Sequence, residues 1–428
     1  MLDRSQPPLI QDLKSVYIPP IETYTLTNGI QVCEINAGSQ DILRIDIVHK
    51  AGRSVENHKI AARATASLLK DGCGNMNSDA FSEEIDFYGA GIKAASNMDF
   101  SYSTLYTISK HALELLPLLH QMYALPLFQE DEIEKFKQQN IQKLREELSK
   151  NEVLTFRHFT EEVFGKETPY GYNSTEEDYK IISREMLLSH YNHFYGTDNC
   201  NIFVSGRIND NIRNAIATLF GQTTKASVKK DYQKQNHAQL AKKLHLPSKN
   251  KHQSALKLGF GLFDRSHEDN AGFFVLNTIF GGYFGSRLMM NIREDKGYTY
   301  DIASLMDQML YDGCFYIDTE ADPQYMTPIL EEIYKEMDIL KNEKVKPQEL
   351  KMVKNYLMGS FMNMLDGPIN TASVAKTMIL TGQKPGDFQL FVKKVLDTTP
   401  DDIMALAQKY FNPDHFIEVM VTPSALSR

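Results

Sequence analysis

The sequence predicts an α+β chain built from two similar halves. Three observations lead there. A strand–helix–helix order appears twice, over 101–148 and over 314–365. A polar stretch rich in Lys and Gln, 222–251, separates the copies. The second helices of the two copies align directly, DEIEKFKQQNIQKL at 131–144 against QELKMVKNYLMGSF at 348–361. Two copies are too few for a solenoid. One α+β unit repeated across a connector is the economical reading.

Residues 1–22 form a proline-punctuated arm, with Pro7, Pro8, Pro19 and Pro20. The first repeat then spans 23–221. Asn28-Gly29 between apolar runs is a hairpin signal. Leu43 to Lys50 alternates as a half-buried strand. Ala61 to Lys70 reads as a buried helix that stops at Asp71-Gly72. Ser78 to Tyr88 is a helix with Ser78 or Asp79 as its N-cap. Ile92 to Ala95 and Ser101 to Ile108 make a strand pair. Helices follow over Lys110–Leu125 and Glu130–Leu148, parted at Pro126, then over Val153–Phe164 and Ser183–Phe194. Cys200 to Ser205 is a strand, and a helix lies near Asn209 to Phe220. The connector at 222–251 lacks apolar periodicity.

The second repeat, 252–428, restates the plan. Ser254 to Gly261 is a strand and Asn270 to Phe280 a helix. Ser286 to Glu294 is a helix stopped by Gly297, and Tyr298 to Ile302 begins a strand. Cys314 to Asp318 is the next strand. Helices follow over Pro323–Leu340, Pro347–Leu365, Ala372–Leu380 and Pro400–Tyr410. His415 to Val421 closes as a strand.

Composition removes several function classes. Net charge is −9 and no basic stripe is large enough for nucleic acid to be the main partner. The four cysteines, Cys33, Cys73, Cys200 and Cys314, are scattered and read as reduced core residues. No apolar run reaches spanning length, so no membrane is expected. The N-terminus has neither a basic n-region nor an apolar h-region. A cytoplasmic protein is the default, or a periplasmic one if a leader has been trimmed. There is no G-x-S-x-G elbow and no Walker or Rossmann glycine pattern. His190 and His193 lie three apart on a helix but have no evident acidic third ligand, and read as a polar helix end.

One stretch pairs a glycine cluster with reactive side chains: GGYFGSRLMMNIREDKGYTY, 281–300. Its helix carries Arg293 near the C-terminal end, and the following strand carries Tyr300. Gly281, Gly282 and Gly285 are either close-approach points for a substrate backbone or tight packing sites. Taken locally, the stretch reads as a packed helix–turn–strand corner whose Arg caps carbonyls.

Three segments resemble the insulinase/pitrilysin-like family of zinc metallopeptidases. LTNGIQV at 26–32 looks like the family's opening strand. NHFYGTDNCNIFVSGRI at 192–208 is similar to the helix-to-strand segment late in its first repeat. FGSRLMMNIREDKGYTY at 284–300 looks like its second-repeat signature. The resemblance spans essentially the whole chain. It implies antiparallel sheets with helices packed on them, together forming half of a clamshell. It also implies that Arg293 and Tyr300, six residues apart between them, help hold a substrate.

The same resemblance exposes a gap. The family's H-x-x-E-H zinc motif belongs on the helix 61–70, which here reads AARATASLLK. Counting back from Gly72 puts Arg63, Ala66 and Ser67 at the positions of the two His and the Glu. None of these side chains suits zinc. Glu146 or Glu147 stands where the family has its third ligand. The implied function is that of a non-catalytic subunit of a heterodimeric zinc metalloendopeptidase. No metal or cofactor is expected in this chain, and zinc is expected in a paralogous partner carrying H-x-x-E-H. Tyr300 would stabilise the oxyanion of a bound peptide and Arg293 would hold a substrate carbonyl or carboxylate. Two alternatives stay open: a structural scaffold of the same fold, and a peptide-binding protein, with a homodimer as one form it could take.

Overall fold

A computed structural model of the chain describes residues 18–222, 224–230, 232, 241–248, 253–384 and 386–423. Most of the arm read at 1–22, and part of the 222–251 stretch, lie outside these residues. Within the arm's described end, Ile18 is buried in the core of the second half.

The first sheet contains β1 (Glu22–Thr25), β2 (Gln31–Asn36), β3 (Leu43–His49), β4 (Gly91–Ser96), β5 (Ser101–Thr107) and β6 (Cys200–Gly206). Their order is β1-β2-β6-β3-β5-β4. The second contains β7 (Lys242–Ser248), β8 (Ser254–Leu262), β9 (Thr299–Gln308), β10 (Gly313–Ala321) and β11 (Ile417–Pro423), in the order β7-β11-β8-β10-β9. The two orders superimpose strand for strand, β2-β6-β3-β5-β4 on β7-β11-β8-β10-β9. The repeat read from the helices therefore extends through the sheets.

This correspondence corrects two expectations. The sheets are not wholly antiparallel: β2 runs parallel to β6, and β7 parallel to β11. Each such pair is joined by a long helical excursion, which is what a parallel pairing requires. In addition, β7 falls inside the stretch read as a connector. Its side chains are mostly exposed, because it forms the edge of its sheet, so it has no apolar pattern to detect.

The first half carries α1 (Ala61–Leu68), α2 (Ser78–Phe87), α3 (Ala112–Ala124), α4 (Glu130–Glu147), α5 (Asn151–Phe164), α6 (Glu176–Lys180), α7 (Arg184–Phe194) and α8 (Asp210–Gly221). The second carries α9 (Asn270–Phe280), α10 (Met326–Asn342), α11 (Pro347–Met364), α12 (Gly367–Leu380), α13 (Asp387–Asp397) and α14 (Pro400–Tyr410). Sequence periodicity predicted neither α6 nor α13. The N-cap of α2 is Asn77, whose side chain accepts from the Ala80 N–H, rather than Ser78 or Asp79.

Two helices cross between the halves. From the first half, α5 lays Phe159, Val163 and Phe164 against Cys314, Tyr316, Ile417 and Val419 of the second sheet. From the second half, α12 lays Ala372 and Ala375 against Ile35, and Ile379 and Leu380 against Cys33, Val48 and Phe203 of the first. The exchange covers the remaining face of each sheet. Central strands therefore lose the half-buried character expected for Leu43–Lys50: all seven residues of β3 are buried. A sheet covered on both faces does not need polar alternation.

Where α12 meets β3 the contact is charged. Asp46, 2% exposed, accepts from Thr104 Oγ1 at 2.5 Å and Arg44 Nη2 at 3.0 Å. Lys376 Nζ of α12 reaches it at 3.2 Å, and Arg44 Nη1 donates to Ser373 Oγ at 2.8 Å.

Candidate functional site

The 281–300 stretch folds as helix, turn and edge strand, as its sequence predicts. The helix is unusual in that its last part, Met289–Asp295, is π-helical. Such wide turns recur at functional sites because they displace side chains from α-helical positions. The Tyr298 N–H donates to the Ile292 carbonyl at 3.0 Å, and Gly297 ends the helix at φ +65°. A Cβ at Gly297 would meet nothing within 4 Å, so backbone conformation alone demands glycine there.

The helix is pinned from several sides. Arg287 makes a two-pronged bond to Glu349 of α11, at 2.8 and 3.0 Å. Asn291 donates to Glu332 at 3.0 Å and to Glu336 at 2.8 Å, both on α10. Lys296 also pairs with Glu332, at 3.2 Å. Arg293 is thus carried on a fixed element. Its guanidinium lies over the Phe284 ring, 4.6 Å from the centroid, and bonds Glu294 at 2.9 Å.

Tyr300 follows on β9. The pairing of β9 with β10 shifts register between Thr319 and Ala321, so Tyr300 and Asp301 sit on a bulge. Two threonines hold that bulge. Thr319 donates to the Asp301 carbonyl at 2.7 Å, and Thr299 to the Glu320 carbonyl at 2.6 Å. Bulges re-aim a side chain and open the edge of a sheet. Tyr300 is 94% exposed on that edge, far beyond what a phenol ring on a packed sheet retains.

The structure brings Arg293 and Tyr300 to one corner, on consecutive elements, with no bond between them among the described residues. The glycines have packing partners. A Cβ on Gly281 would come within 2.6 Å of Ser304 Oγ and 2.7 Å of its nitrogen. The Ser304 N–H donates to the Gly281 carbonyl at 3.0 Å, so glycine here lets the turn press against β9. Gly282 lies against Thr278 and Asn277, and Gly285 against the Tyr283 ring.

The helix α1 is the counterpart expected to bind zinc. Arg63 is exposed and donates to the Tyr179 hydroxyl at 3.0 Å; Ala66 is buried and Ser67 half-buried. Two more guanidiniums gather nearby. Arg53 stacks on Tyr172 at 3.4 Å, and Arg157 stands within electrostatic reach of Tyr179, Arg53 and Glu147. Burial holds both below the usual arginine range. An environment of three arginines and no imidazole does not fit a divalent cation. Glu147 lies 3.8 Å from Lys143, and Glu146 accepts from Gln142 at 3.4 Å. Among the described residues no three His, Cys, Asp or Glu side chains converge as a ligand set.

Sequence reasoning missed a polar cluster at the start of α1. Glu56 is half-buried just before α1, where it accepts from the Ala62 N–H at 3.0 Å and from the Tyr172 hydroxyl. Burial pushes its carboxyl up to about 7. Ile60, at φ +71°, is the residue this cluster holds in a strained conformation. Its N–H donates to the Tyr172 hydroxyl at 3.3 Å. Tyr172 lies more than a hundred residues downstream of Glu56, so no local pattern reveals the cluster.

His190 is no helix-end residue. It is 3% exposed and bonds the Ala51 carbonyl through Nε2 at 3.0 Å, and burial lowers its pKa to about 4. His193 bonds Ser189 instead, at 3.3 Å.

Comparison with known proteins agrees with this picture. Residues 182–357, from α7 to α11, match the family described as Peptidase M16 inactive domain. An uncharacterized zinc protease of Bacillus subtilis, YmxG, is 22% identical over 94% of this chain and 98% of its own length. A crystal structure of a peptidase M16 inactive domain from Pseudomonas fluorescens superimposes with TM-score 0.86 at 20% identity, covering 94% of this chain and 98% of the other. A protease from Helicobacter pylori gives TM-score 0.88 at 18% identity, covering 95% and 100%. The chain is thus similar to M16 peptidase relatives along most of its length, and residues 182–357 match the family's inactive domain.

Proposed function

We propose that this chain is the non-catalytic subunit of a two-chain zinc peptidase. It supplies Arg293 and Tyr300 to peptides held against a partner that bears H-x-x-E-H. The observation that carries this is an asymmetry between two corners. At α1 the zinc positions hold Arg63, Ala66 and Ser67, and Arg53 and Arg157 share the Tyr179 neighbourhood with Arg63. At β9 a braced bulge presents Tyr300 to solvent, 94% exposed, and Arg293 lies on the pinned helix that leads into that strand. A surface phenol with no partner contributes nothing to folding, yet the local structure is built to project it.

The chemistry follows. Peptide hydrolysis places charge on the former carbonyl oxygen, and a phenol donating to that oxygen lowers the barrier by about 3–4 kcal/mol. The planar fork of Arg293 can hold a substrate carbonyl or terminal carboxylate. Zinc in the partner would supply the activated water. Tyr300 and Arg293 only orient the peptide and receive charge.

The test is reconstitution. The chain is mixed with H-x-x-E-H paralogues from the same genome, and cleavage of unfolded peptides is followed. A partner is expected to gain activity that depends on this chain. If no paralogue gains activity, or if a reconstituted enzyme is indifferent to Tyr300→Phe, the proposal fails.

A further inference from the structure

A second feature lies away from the Arg293–Tyr300 corner and does not rest on its reading. A cavity of about 730 Å³ opens among α9, α11, α12, α13 and the end of β9. A smaller one of about 330 Å³ reaches on towards the first sheet, and the two share Arg265, Gln308 and Thr377 as walls. Volumes of roughly 300–1,000 Å³ are typical of small-ligand sites.

The walls of the larger cavity fall into two regions. Phe274, Phe361, Phe388 and Phe391 supply an aromatic end. Carboxamides, including Asn363 and Asn370, supply donors and acceptors elsewhere. Arg265 is the only cation among its described walls. Its position is fixed from behind: Asn270 Nδ2 donates to the Arg265 carbonyl at 3.1 Å, and Gln308 Nε2 donates to Asn270 Oδ1 at 3.0 Å. The guanidinium itself has no ion pair or hydrogen bond among the described residues. The residue is exposed, and neighbouring protein lowers its pKa by partial desolvation.

The other charged walls are already engaged. Asp387, the one carboxylate of the larger cavity, accepts from the Lys384 N–H at 2.7 Å. In the smaller cavity Lys376 is paired with Asp46, and Asp99 accepts from the Leu310 N–H at 2.8 Å and the Tyr170 hydroxyl. Arg265 is therefore an exposed cation without a counter-charge among the described residues, on the wall of a chamber lined with phenylalanine.

We infer that this cavity binds a carboxylate attached to an apolar body, with Arg265 on the carboxylate and the phenylalanines around the body. Two sources offer that chemistry: the C-terminus of a peptide ending in an aromatic residue, and a free aromatic or aliphatic acid. Carboxamides suit the first by pairing with peptide N–H and C=O groups.

Calorimetry on the intact chain separates the sources. The probes are acetyl-Ala-Ala-Phe with a free C-terminus, the same peptide as its C-terminal amide, and decanoate. The free-acid peptide or decanoate should bind saturably, and whichever binds identifies the source. Arg265→Gln should weaken that binding roughly tenfold or more, the loss expected for one charge-assisted pair. Val374→Trp, which fills the cavity and keeps the charge, should abolish it, with thermal melts checking that both variants fold. Absence of binding by every probe, equal affinity for acid and amide, or unchanged binding in Arg265→Gln would overturn the inference. Because the measurement needs no partner chain and no cleavage, its failure and the failure of the peptidase-subunit proposal are separately visible.

Discussion

Tyr300 owes its place to exposure, and this separates its effects on folding and on chemistry. A ring that is 94% exposed makes almost no contribution to the core. In a reconstituted peptidase, Tyr300→Phe should lower kcat about 100-fold, in keeping with the loss of one oxyanion donor. The melting temperature of the chain should not move. Buried ionisable groups behave oppositely, shaping stability and not catalysis. Burial lowers His49 to about 3 and His190 to about 4, from 6.5, and raises Glu56 from 4.5 to about 7. Below pH 6.5 the unfolded chain takes up two histidine protons that the folded chain refuses, so stability falls on acidification. Glu56 acts with the other sign, since the folded chain keeps its proton up to pH 7. Its contribution is full below pH 4.5 and is lost as pH rises through 7. Between pH 4.5 and 6.5 these three groups together differ by one proton, contributing about 1.4 kcal/mol of stability lost per pH unit of acidification. Urea denaturation across this range measures it. His190→Asn should flatten the dependence and Glu56→Gln should steepen it.

The decisive device at the level of the element is the bulge at the start of β9. A regular strand would keep Tyr300 in the alternation of β9; the extra residue sends it outward instead. Thr299 and Thr319 satisfy the carbonyls that the interrupted ladder leaves free. Thr319→Val removes one of these bonds while keeping the shape. It should cost about 0.5–1.5 kcal/mol, the net worth of one hydrogen bond, since Thr299 Oγ1 also lies 3.0 Å from the Asp301 carbonyl. It should also reduce reconstituted activity although Thr319 touches no substrate. Gly281→Ala is predicted to be the harsher change, since its methyl would meet the Ser304 backbone at 2.7 Å. Chemical denaturation should show a loss of about 1–3 kcal/mol for that overpacking. Much of this element was legible beforehand. Gly297 announced the helix stop and the aromatic run announced the strand. The bulge was not legible, because it depends on register with β10, and neither was the π-turn, which follows from how Asn291 and Lys296 reach α10.

The exchanged helices govern the whole molecule. With α5 on the second sheet and α12 on the first, each half has its own main core but leaves one face of its sheet for the other half to cover. A break in the 222–251 stretch should therefore give two fragments that aggregate when made separately and recover the native circular dichroism when refolded together. Independent folding of either fragment would contradict the exchange. At the centre of that contact Asp46 holds Arg44, Thr104 and Lys376. Asp46→Ala leaves two buried cations without their anion and should destabilise the chain by about 3–5 kcal/mol, measurable by denaturant titration.

By itself the sequence determined the α+β class, the doubling of one unit, most helices, and the absence of histidine from the helix 61–70. These are properties of periodicity, turn chemistry and side-chain type, all of which act over a few residues. The tertiary structure decided the remainder: the place of β7 as the counterpart of β2, the helix exchange, the Glu56–Tyr172 cluster in front of α1, and the chamber behind Arg265. Each joins residues far apart in the chain, and only packing brings them together. An edge strand such as β7 has too little buried surface to leave a pattern, and β3 hides its pairing with α12 because it is buried on both faces.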